Sequence, residues 1–209
     1  VSENKLVSLM SYANLCLHEE LVSRAARAGE LEDRLRLNTL GAGHFARFAE
    51  HAGTLKTMKA RFEPIAGPIN EFGRLTDPKD DVEAMLRVCL VVGFMADLVK
   101  AVEQNLSNKD KDALKVSTQL WRSHDFASSK VVSSLDDEGA VDVLSLYGRR
   151  VISELTLTVQ SLAAADQELS NILSGTKDDG LADIAGVSNL MDQLLEKARS
   201  RMRHLGLRA

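Results

Sequence analysis

Glu19, His44, Asp97 and His124 are the residues whose types and spacing could hold a metal ion. Glu19 precedes His44 by 25 positions and Asp97 precedes His124 by 27, while the histidines lie 80 apart and the acids 78 apart. Two helical hairpins that each supply one carboxylate and one imidazole would leave such a repeat in a sequence. A carboxylate-bridged pair of irons asks for more: a carboxylate from each of two helices and a Glu-x-x-His turn from each of the other two. The bridging anions are needed because the irons bring several positive charges into a low-dielectric interior. Here the turns read Gly41-x-x-His44 and Trp121-x-x-His124, each without its glutamate. A single divalent ion, iron or another, on Glu19, His44, Asp97 and His124 is the metal reading these residues still allow. The structural reading makes His44 a packed, hydrogen-bonded core histidine, pairs Glu19 with a nearby cation, and puts Asp97 and His124 in solvent.

Other chemistries find no support. There is no glycine-rich phosphate loop, no GxSxG elbow and no Walker-type lysine. Cys16 and Cys89 lie in apolar runs without CxxC or Cys/His spacing, which argues against a zinc knuckle or a disulfide framework and suits a reducing cytoplasm. The most apolar run, "VCLVVGFMADLV", carries Asp97 and is too short to span a bilayer, and no leader pattern precedes it. A formal net charge of −4 argues against generic coating of nucleic acid, DNA included. Basic residues nevertheless cluster at Arg149 and Arg150 and at Lys197, Arg199, Arg201, Arg203 and Arg208. These read as solvated helix ends that favour the macrodipole, or as phosphate contacts to RNA. His18, His51 and His204 read as isolated surface histidines. Met85, Phe94, Met95 and Trp121 read as bundle filling, with the indole placed where a metal would otherwise sit.

The elements that must position these residues are helical. The chain has 209 residues, 44% of them apolar, only 4% aromatic and three of them proline, so it can bury a large core with little sign of strand. The spacing predicts a first helix from about Glu3 to Ala28 with Gly29 as its stop, and a second from about Glu30 to Lys59. Residues 63–78 hold all three prolines and read as an irregular crossover with one helical turn near Ile69 to Phe72. Asp77 before Pro78 predicts the cap of a third helix, to about Leu106. Ser107 and Asn108 open a fourth, to about Leu135; Asp136 and Asp137 open a fifth, to about Leu173; a sixth spans about Leu181 to Leu205. Two short-loop hairpins joined by one long connection are the wiring of a ferritin-like four-helix bundle. The expectation is an all-α single domain over residues 1–209, with its core bundle at about 3–135 and two additional C-terminal helices at about 138–205. Leu144, Val151, Leu155, Leu162, Leu190 and Leu194 on those helices would cover the bundle or pair two copies as a homodimer.

Five blocks add a resemblance: "YANLCLHEELVSRA" at 12–25, "GHFARF" at 43–48, "FEPIAGPINEF" at 62–72, "YGRRVISELTLTVQ" at 147–160 and "RMRHLGL" at 201–207. They resemble blocks of the actinobacterial ferritin-like-fold proteins, which are similar to the di-iron tRNA hydroxylase acting on 2-methylthio-isopentenyl adenosine. In that resemblance Glu19 matches the helix-one glutamate, Asp97 matches an aspartate, and Arg149, Arg150, Glu154 and Gln160 form a further matching block. Gly41 stands where the family tends to have glutamate, and its third-helix acids fall on Val92 and Ala101. The resemblance thus implies the ferritin-like fold, a di-iron ancestry with several ligands lost, and tRNA as a partner by analogy. The missing carboxylates favour a degenerate metal centre without cofactor in a non-catalytic binding or scaffold protein. The alternative is a non-haem iron oxidoreductase or hydroxylase acting on a modified tRNA or a small molecule.

Overall fold

The computed structural model describes residues 4–51, 53–115, 118–136, 138–176 and 183–209. Those residues form α1 (Lys5–Arg27), α2 (Leu31–Ala49), α3 (Leu55–Leu75), α4 (Asp81–Val102), α5 (Asn108–Leu114), α6 (Thr118–Val132), α7 (Glu138–Ala165), α8 (Gln167–Ser174) and α9 (Ile184–His204), with a 3-10 turn at Glu103–Asn105. No strand occurs among the described residues, in keeping with the all-α expectation. The two hairpins are α1 with α2 and α4 with α6, and they are the most extensively packed pairs. Their apolar stripes meet in the centre of the bundle, and the buried core continues without a break through Leu144, Val151, Ile152 and Leu155 of α7 to Leu190, Met191 and Leu194 of α9. Helix α7 lies against α3, α4 and α9.

Local chemistry sets the helix starts. Asn4 caps α1 by accepting from the Leu6 amide at 2.8 Å. Asp80, rather than the expected Asp77, caps α4: its carboxylate accepts from the Glu83 amide at 2.8 Å while Glu83 reaches back to the Lys79 amide at 2.8 Å. This reciprocal pair satisfies two amides and outcompetes the Asp77–Pro78 signal.

The stretch expected to be an irregular crossover is instead part of α3, which runs through Pro64 and Pro68. Two prolines in a helix interior cost several kcal/mol in isolation. Here Pro64 is exposed and Pro68 half-buried, while Phe62 and Ile65 are buried and Ile69 and Phe72 pack against the core from the same helix. Tertiary packing on α1 and α7 overrides the local preference. The second helix ends at Ala49, short of Lys59. The expected fourth helix is two, α5 and α6, and the expected fifth is also two, α7 and α8, because Asp166 recaps the chain through the Leu169 amide at 3.0 Å. The expected starts at Glu3, Asp137 and Leu181 lie outside the described residues.

Candidate functional site

His44 sits at the middle of the four-helix core with 0% of its surface exposed. Its Nδ1 lies 2.8 Å from Asn14 Oδ1 on α1, and its Nε2 lies 2.9 Å from Ser123 Oγ on α6. Asn14 Nδ2 donates to the Met10 carbonyl at 2.8 Å, which orients the amide so that its oxygen faces the imidazole. It follows that Nδ1 carries the ring proton and donates to Asn14, while Nε2 accepts from the Ser123 hydroxyl. The result is a hydrogen-bonded chain across three helices in which both ring nitrogens are occupied. Burial pushes the His44 pKa down to about 4, with His18 adding a smaller effect in the same direction, so the ring is neutral near neutral pH.

The other three residues expected to hold a metal are not gathered around this ring. Glu19 is exposed and makes no hydrogen bond or ion pair among the described residues. Asp97 is claimed by α9: Arg201 Nη2 lies 2.9 Å from its Oδ2 and Lys197 Nζ 3.9 Å from its Oδ1. His124 is one position past Ser123, and a step of about 100° around the helix turns it away from His44. It is partly buried, with Nδ1 3.4 Å from Asp125 Oδ1, and burial lowers its pKa. No group of three or more His, Cys, Asp or Glu that could hold a metal occurs among the described residues.

Two residues singled out in the sequence have other work. Gly41 lets α1 and α2 approach: a Cβ there would meet Val22 Cγ2 at 2.9 Å, and the Gly41 carbonyl takes a 3.0 Å contact from His18 Nδ1. A glutamate at that position would break the hairpin packing. Trp121 does not fill the centre; it is 41% exposed and meets the His124 ring edge-on at 5.5 Å.

The basic clusters are largely paired. Arg201 is half-hidden against α4, where Gly93 makes room for it: a Cβ at Gly93 would lie 2.4 Å from the guanidinium carbon. Arg203 and Arg199 reach Glu196, Arg208 reaches Asp142, and Arg149 donates to the Arg208 carbonyl at 2.9 Å. Arg150 is exposed.

Sequence reasoning missed Asn14 and Ser123, neither of which is an ordinary ligand for iron. A signal was there. Asn14 interrupts the stripe Met10, Leu17 and Leu21 at helical spacing, and Ser123 falls between Leu120 and Ala127 in the same way; all five apolar neighbours are buried. A polar residue in a buried register needs a partner, and the partner is His44.

A second feature lies on the adjoining face of α1, next to Met10 and Leu17. There α1, α3, α4 and α7 enclose an apolar cavity of about 400 Å³. Met10 and Met95 line both this cavity and a small one of about 40 Å³ beside Asn14, so the two methionines partition the polar centre from the open space.

Fold and site together define a four-helix bundle of ferritin-type wiring whose middle is closed by an amide, an imidazole and a hydroxyl. Over residues 2–176 the chain matches the ferritin-like domain of actinomycetes, and it belongs to that family. Among proteins of curated function none matches. No helix among the described residues is long and apolar enough to cross a membrane.

Proposed function

We propose that this chain is a non-catalytic binding protein of the cytoplasm, built on a ferritin-like bundle whose metal centre has degenerated. The observation that carries the reading is the occupation of both His44 nitrogens by Asn14 and Ser123. A di-iron pair needs bridging carboxylates, and the groups that meet at this centre bring no negative charge to neutralise it. The donor set does not fit two irons, and an imidazole with an amide and a hydroxyl is a weak set for one divalent ion. Asn14–His44–Ser123 then serves to fix the register of α1, α2 and α6, as a satisfied buried polar network does.

Metal analysis of protein purified from iron-supplemented cells tests this. The expected result is substoichiometric iron in the wild type, with no difference in a His44→Ala variant. Stoichiometric iron that disappears in His44→Ala overturns the proposal and restores the oxidoreductase reading.

A further inference from the structure

The cavity between α1, α3, α4 and α7 has the size and chemistry of a ligand site. Its volume, about 400 Å³, falls in the range of small-molecule pockets. The walls are apolar: Ala13 and Cys16 from α1, Ile69 from α3, Val91 and Phe94 from α4, and Leu155 from α7.

Six polar side chains also line the cavity: Glu19, Glu20 and Ser23 from α1, Asn70 from α3, Arg87 from α4 and Thr158 from α7. Arg87 pairs with Glu20 and donates to the carbonyls of Gly73 at 3.3 Å and Thr76 at 3.0 Å, and Glu20 also accepts from Arg24 Nε at 2.8 Å. Arg24 also pairs with Asp81 at 3.0 Å, so two guanidiniums face two carboxylates and the charges neutralise one another. The rim is formed by Glu19, Ser23 and Asn70, all exposed, with the Tyr12 hydroxyl donating to Asn70 Oδ1 at 3.2 Å. Glu19 is the one lining charge without an ion pair among the described residues. The Cys16 thiol beside it is pushed up to about 12 by burial and by Glu19, so it is a passive wall and not a nucleophile.

We infer that this cavity binds a single-chain aliphatic molecule, its body between α1, α3, α4 and α7 and a hydrogen-bond-donating head, cationic or hydroxyl, at Glu19. The inference gives the binding protein proposed above its ligand class and rests on that reading. A carboxylate head is disfavoured, because it would face Glu19 with no unpaired cation at the rim. The volume lies in the range of small-ligand pockets, which suits a single aliphatic chain.

The test uses the 209-residue chain and the fluorescent apolar probe N-phenyl-1-naphthylamine, displaced by decylammonium, decanol or decanoate. Decylammonium and decanol should displace the probe, and decanoate should need at least about tenfold more. Glu19→Gln should narrow that gap. Val91→Phe and Ala13→Leu fill the cavity and should each weaken probe binding at least about tenfold without lowering the thermal midpoint. If one of them fails to fold, the other decides. No probe binding, equal displacement by decanoate, or unchanged binding in a folded cavity-filled variant overturns the inference. The iron content of the same samples keeps the two proposals apart: iron with intact probe binding defeats the degenerate-centre reading alone, and no iron with no probe binding defeats this one alone.

Discussion

Two interiors meet at Met10 and Met95. On one side Asn14, His44 and Ser123 bring polar atoms into the core and satisfy them, leaving only about 40 Å³ of space nearby. On the other side about 400 Å³ stays open among apolar walls, with Arg87 paired to Glu20 in its lining. In a bundle able to hold metals in its middle, the middle here is the closed region and the flank is the open one. A void among apolar walls leaves no polar group without a partner, whereas leaving both nitrogens of a fully buried imidazole unpaired is costly.

Truncations sharpen the contrast, because they should cost most where the interior is closed. His44→Ala removes a ring that fills the centre and strands the Asn14 oxygen, so unfolding free energy from urea titration should fall by about 4 kcal/mol. A loss under about 1 kcal/mol would contradict a tightly packed polar centre. The second effect is a pH dependence. The folded pKa of His44 is depressed from 6.5 to about 4, so above pH 6.5 folded and unfolded chains are both neutral at this ring. As pH falls through 6.5, the unfolded chain takes a proton that the folded centre refuses. Stability therefore declines from about pH 6.5 and levels off below about pH 4, by on the order of 3 kcal/mol in total. A His44→Asn variant should lose that slope in the same titration.

At the cavity the same kind of cut should cost less. Leu155→Ala removes a side chain that already borders open space, so it loses transfer free energy with little new void, and about 2 kcal/mol is expected. Should chemical denaturation show Leu155→Ala costing as much as His44→Ala, the flank is as tightly filled as the centre and the contrast fails. The smallest effect is Ser123→Ala. It deletes one donor to a neutral ring and should cost about 1 kcal/mol, read from the thermal midpoint.

Much of the fold was legible in the chain. Leucine and methionine at helical spacing in α1, the short turn to α2 and the long connection before α4 are local patterns that survive tertiary assembly. The course of α3 was not, since Pro64 and Pro68 speak against a helix locally and only the burial of Phe62 and Ile65 against other helices pays for them. The candidate site was half legible. His44 was found, because an imidazole on an apolar stripe is conspicuous. Its partners were not, because pairing between α1, α2 and α6 depends on helix rotation, and a shift of one residue separates Ser123 from His124. The claim of Arg201 on Asp97 spans 104 positions and no local pattern announces it.

The most direct test of the central claim is long-range proton–nitrogen NMR of the His44 ring, followed through pH and then through addition of zinc and ferrous ions. A polar centre closed on itself predicts one neutral tautomer, protonated at Nδ1, with a midpoint near 4 and ring-nitrogen shifts that the metals leave unchanged. A midpoint near 6.5, or shifts that move with stoichiometric metal, would contradict it and return the imidazole to metal chemistry.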